Sequence, residues 1–184
     1  MQQFTRSRIG VSPSVQSFRY TGDRIFKVGK EIQQALLDTK ASTLYELLEF
    51  KCPSLAQDVD TLFYQRPIGD YRDREGKSYH QTIESYCDRR CWFAKAAMTY
   101  SELIDDGCPY EDAIGVIPMD ARQNWVATFN VRSFCGYMDR RTPANAQLEI
   151  RKLSYMLWEP FKEWVPSIAS WYELNRLGKN KLAP

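Results

Sequence analysis

A chain of 184 residues with 43% apolar and 14% aromatic side chains is long enough, and apolar enough, to bury a sizeable core, which excludes a disordered segment. Against 23 Asp and Glu, 25 Lys and Arg leave a formal charge of +2, too near neutrality for a polybasic nucleic-acid surface, so any anion site must be local. No apolar run approaches the roughly 20 residues that span a bilayer, and the opening residues lack the apolar block of a secretory signal, so no membrane partner and a cytoplasmic location are expected.

Taken in order, the chain opens on RSRIGVSPSVQSFRY, residues 6–20, where arginines alternate with small hydroxyl residues. From Lys30 to Phe50, Ile32, Leu36, Leu37, Leu44, Leu47 and Leu48 recur at mostly helical intervals. The polar stretch Asp38 to Thr43 divides them, which predicts two short helices stopped by Pro53. Val59 to Gln65 reads as a strand ended by Pro67, and a turn at Glu75-Gly76 leads to a second short strand, a hairpin in all. From Gln81 the period lengthens: Ile83, Cys87, Cys91, Ala94, Met98, Ser101 and Ile104 mark the longest helix, with Gly107 as its C-terminal cap. Pro109 starts a short helix through Val116 that Pro118 closes. NWVATFN alternates as a strand, and VRSFCGYMDRR follows as a helix. Pro143 offers the start of another helix, with Ala146, Ile150, Leu153 and Leu157 on one face and Pro160 as its limit, before a last apolar helix in EWVPSIASWYELNRLG. With no repeats or low-complexity linkers, residues 1–184 are expected to form one α+β domain, a small, mostly antiparallel sheet packed with helices.

The residues that carry chemistry are mainly arginines. Arg6, Arg8 and Arg19, then Asn130 and Arg132, then Arg140 and Arg141 followed by Gln147, form three separate groups. A guanidinium is a permanently charged planar fork suited to phosphate and carbonyl oxygens, and Ser12, Ser14 and Ser17 with the backbone amides between them suit a phosphate cradle. The competing reading is surface ion pairing with neighbouring carboxylates. His80 is the only histidine and is expected in a turn without a Ser or Cys partner, which disfavours a catalytic triad. The five cysteines show no Cys-x-x-Cys pair, and Cys87 and Cys91, four apart on a helix, read as small core groups, so no metal site is expected. No glycine-rich nucleotide fingerprint occurs.

QFTRSR followed by SVQSFRY resembles the flavin signature of the flavin-dependent thymidylate synthases, Arg-His-Arg and, after a short spacer, Ser-x-Arg. Arg6, Arg8, Ser17 and Arg19 match it. FYQRPIGDYRDREGKSY, DAIGVIP, FNVRSFCGYMDRR and NAQLEIRKL follow in the family's order, and the tail WYELNRLGKNKLAP resembles a cyanobacterial branch. The resemblance implies that family's fold and the reductive methylation of dUMP to dTMP, with methylenetetrahydrofolate giving the carbon, NADPH and FAD giving the hydride, and no enzyme nucleophile. It assigns Arg141 to the pyrimidine as the catalytic cation, Gln3, Ser17 and Arg19 with Arg141 to dUMP, and Arg6, Ser7, Arg8, Asn130 and Arg132 to FAD. It also implies a homotetramer with shared active sites. The alternatives are methylation of another uridine nucleotide such as UMP, and a catalytically impaired nucleotide-binding homologue.

Four positions depart from the family pattern. Ser7 stands where the signature has histidine, Ile114 where it has a nucleotide-binding arginine, Val15 where it has an acidic residue and Asn145 where many members have histidine. Members carry a further strand and helix ahead of the arginine signature, so truncation at the N-terminus is expected.

Overall fold

The computed structural model describes residues 11–15, 18–72 and 75–177, without the side chains of Val11, Pro13, Val15 and residues 18–21. Among the described residues the fold is α+β and mostly helical, with two two-stranded sheets where one small sheet was expected. Contacts divide the described residues into two compact units, one of 15 and 18–72 with 78–124, the other of 11–14 and 75–77 with 125–177.

The first unit begins with α1 (Phe18–Thr39), one 22-residue helix that starts well ahead of the expected Lys30. Its inward stripe, Ile25, Val28 and Ile32, lies on α4 (Ile83–Asp105), which presents Phe93, Ala94, Ala97 and Tyr100. The two helices approach so closely that a Cβ on Gly29 would stand 2.3 Å from the carbonyl oxygen of Ala97. The α4 helix has the expected extent: Thr82 caps it by accepting from the Ser85 N–H, and Gly107 follows its end at φ +82°, a left-handed conformation that suits glycine.

Between them, α2 (Leu44–Glu46, continued as one wider turn through Lys51) buries Leu47 and Leu48. Then α3 (Pro53–Leu62) buries Leu55, Val59 and Leu62. Pro53 therefore starts a helix rather than ending one, because at the first helical position its missing N–H needs no partner. The expected strand at Val59 to Gln65 is corrected by the same helix, which runs through Leu62. Only Phe63 makes a bridge, antiparallel to Ala121, with Tyr64 N–H donating to the Asp120 carbonyl and Arg122 N–H to that of Leu62. The hairpin lies further on: β2 (Gly69–Arg72) pairs antiparallel with β3 (Ser78–Gln81), Asp70 opposite His80 and Tyr71 opposite Tyr79. After α4 comes α5 (Tyr110–Ala113), extended by a tighter turn through Val116.

An ion network ties three of these helices together. Arg90 on α4 donates from Nε and one terminal nitrogen to both oxygens of Asp60 at 3.1 and 2.7 Å, and from the other to Glu49 at 2.5 Å, with its side chain only 13% exposed. The Tyr86 hydroxyl donates to Asp60 as well. Hydrogen bonding to Asp60 holds the guanidinium above its already high ordinary pKa. Truncating Arg90 leaves two carboxylates facing each other with little water. Arg90→Ala is expected to cost about 3 kcal/mol, a fall of roughly 6–12 °C in Tm in a thermal melt.

In the second unit, β1 (Val11–Val15) neighbours β4 (Trp125–Phe129), and α6 (Val131–Arg141), α7 (Leu148–Trp164) and α8 (Pro166–Asn175) enclose an aromatic core. Phe134 stacks on Phe161 at 4.4 Å and lies parallel to Trp158 at 6.3 Å, and Trp158 meets Tyr172 at 5.3 Å. Two expectations change here. The helix after Pro143 starts only at Leu148, and Pro160 lies inside α7 rather than at its limit. The carbonyl that Pro160 cannot serve belongs to Met156, a residue 71% exposed, so water can take the missing donor's place.

Candidate functional site

One helix carries three of the residues that the resemblance assigns. Asn130 takes an extended backbone conformation just before α6, and its Oδ1 accepts the N–H of Ser133 at 2.8 Å, so this side chain is the helix N-cap. Arg132 stands exposed in the first turn, which holds no acidic residue. Unneutralised N–H groups, the positive end of the helix and a guanidinium together favour an anionic group at this end. Arg141 closes the helix one turn beyond the buried Tyr137, and is itself half-buried, with its Nε out of water. At about 1.5 Å per residue the two ends lie on the order of 15 Å apart.

The helix is fixed along its length. Tyr137, fully buried, is 3.1 Å from the Ser154 hydroxyl of α7, which donates to the Ile150 carbonyl at 2.7 Å. Burial pushes the Tyr137 phenol up, while the Ser154 hydrogen bond and the charge of Arg141 pull the other way. The phenol therefore stays protonated at neutral pH. On the other flank Tyr172 of α8 donates to Asp139 at 2.7 Å and to the Cys135 carbonyl at 3.3 Å, and Arg176 reaches the second Asp139 oxygen at 2.5 Å. Thr142 closes the end by donating from its N–H and hydroxyl to the Met138 carbonyl. Neither Tyr137 nor Ser154 stood out in the sequence, because a tyrosine and a serine on apolar stripes look like ordinary core.

In the other unit, Arg19 lies in the first turn of α1, whose first turn also holds no acidic residue. Gln3, Arg6, Ser7, Arg8 and Ser17 lie outside the described residues. A helix N-terminus favours an anionic group. Ile114 sits half-buried in the tight turn after α5, next to the fully buried Ala113, so this position offers an apolar contact where the family has a cation. Asn145 is exposed between α6 and α7.

The nucleophile candidates are now placed. His80 is in β3 rather than a turn, and its Nδ1 lies 2.7 Å from Asp70 across the hairpin, both side chains more than half exposed. Cys87, Cys91 and Cys135 are pushed above the ordinary thiol range, chiefly by burial, so they remain protonated and unreactive near pH 7. No helix of the described residues is long and apolar enough to cross a membrane.

Comparison with known proteins identifies relatives of the chain. The model of the thymidylate synthase complementing protein family matches residues 1–167. Proteins named flavin-dependent thymidylate synthase from Haloarcula marismortui and Halobacterium salinarum are 31% and 32% identical over the whole chain, which covers 67% of each of them. One of the same name from Sulfurisphaera tokodaii is 33% identical over 76 residues, 41% of this chain and 30% of its own length. With the family model spanning its arginine groups and two relatives aligned from end to end, the chain belongs to the thymidylate synthase complementing protein family.

Proposed function

We propose that the protein is a flavin-dependent thymidylate synthase that methylates dUMP reductively to dTMP, with methylenetetrahydrofolate and NADPH as co-substrates and FAD as the flavin. The observation that carries this reading is the α6 helix, with Asn130 and Arg132 at its anion-favouring start and Arg141 half-buried at its end.

The residues present suit a flavin dinucleotide: the exposed Arg132 and the first-turn amides of α6 provide a seat for phosphate oxygens, and Arg6, Ser7 and Arg8 of the signature would hold the remainder. When bound, reduced flavin supplies the hydride. The chain's own work is binding and charge. Ser17 and Arg19 would take the dUMP phosphate with Gln3. The Arg141 guanidinium would stabilise negative charge growing on the uracil carbonyls, and its position on a helix anchored by Tyr137 and Tyr172 spares reorganisation during the reaction. We further propose a soluble cytoplasmic homotetramer with active sites shared between subunits.

Purified protein supplied with FAD should oxidise NADPH only when dUMP is present, and yield dTMP only when the folate is added. Protein that neither retains flavin nor binds dUMP overturns this reading. Competition between UMP and dUMP tests the choice of nucleotide.

A further inference from the structure

The α6 and α7 helices run antiparallel: Phe134 meets Phe161 and Trp158, and one turn further Tyr137 meets Ser154. Continuing in the same sense, the next turn of α6 carries Arg141 and the preceding turn of α7 carries Ile150 and Arg151. Both arginines therefore belong to one end of the helix pair.

Arg151 is oddly placed for a structural cation. It stands in the N-terminal part of α7, where the helix dipole opposes positive charge. It is half-buried, and its Nε is out of water with no hydrogen-bond partner. A buried donor left unpaired is costly, and a cation against the dipole adds to that cost. Neither is offset by an ion pair among the described residues. A local conflict of this kind is expected where a ligand completes the arrangement. The neighbouring Lys152 is exposed and has no such constraint.

We propose that Arg151 is a second guanidinium for the pyrimidine nucleotide, at the same end of the helix pair as Arg141 in the register that the Tyr137–Ser154 contact sets. This deepens the reading of the Arg141 site as a uracil site and rests on it. The ligand group it takes is a carbonyl or anionic oxygen of the nucleotide, which supplies the acceptor that the Nε–H lacks.

The test is calorimetric titration of dUMP into the purified full chain and into Arg151→Gln, Arg151→Lys and Lys152→Gln, each checked by thermal melting. Arg151→Gln is expected to raise the dUMP Kd about tenfold or more at an unchanged Tm, since one charge-assisted contact is worth that much. Arg151→Lys, which keeps the charge but loses the fork, should fall between it and the unsubstituted chain, and Lys152→Gln should bind like the latter. Unchanged affinity in Arg151→Gln overturns the inference alone. Equal losses in Arg151→Gln and Lys152→Gln also overturn it, because general charge then explains both. An unsubstituted chain that binds no dUMP overturns the reading of the site, and this inference with it.

Discussion

Replacing Arg141 by glutamine should lower the rate of dTMP formation at saturating dUMP by about 10²- to 10³-fold, the usual penalty for losing one preorganised group that faces developing oxyanion charge. Glutamine keeps a hydrogen-bonding side chain of moderate length, and Tyr137, Ser154 and Thr142 still secure the end of α6. Folding should therefore be nearly unaffected, with Tm within a few degrees. The informative comparison is kcat against KM under steady-state conditions: a fall in kcat points to charge stabilisation in the transition state, whereas a rise in KM alone points to uniform binding. An Arg141→Gln protein with full kcat would remove this residue from the chemistry.

The largest expected effect on folding is at Gly29. An added methyl group would meet the Ala97 carbonyl oxygen at 2.3 Å and its carbon at 2.8 Å, and these are backbone atoms of α4 that cannot turn aside. The helices must separate, which opens gaps beside Ile32 and Phe93. Gly29→Ala is expected to cost about 3 kcal/mol or more, a drop of roughly 6–12 °C in Tm and a sizeable share of the stability of a typical domain. Gly22 provides the contrast: its added methyl group would strike the Tyr100 hydroxyl at 2.1 Å, a side-chain atom rather than backbone, although its ring is buried in the core. Gly22→Ala should therefore be the milder of the two in the same melting experiment, and the reverse order would refute the close-approach argument.

These two glycines also mark one failure of sequence reading. The apolar spacing was followed only from Lys30, so the turns of α1 that hold Gly22 and Gly29 were missed. In the structure they allow the intimate crossing that holds α1 in place from Phe18. The α4 and α6 helices were legible because their apolar spacing agrees with their ends: Gly107 follows one, and Asn130 caps the other. Val59 to Gln65 misled because a short apolar run at the end of α3 has no period of its own, and Phe63 does make one strand-like bridge. Among the candidate site residues, the arginines were proposed from motif. Tyr137 and Ser154 drew no attention, since their contact depends on which turn of α7 lies against which turn of α6. That register is a tertiary fact.

The α6 helix works as a spacer with both a set length and a set angle. Each residue contributes about 1.5 Å of rise and 100° of rotation, so inserting or deleting one between Arg132 and Arg141 would keep the helix intact while swinging one arginine round to another face. A change of length in this segment should therefore be tolerated less well than an exchange of side chain at constant length.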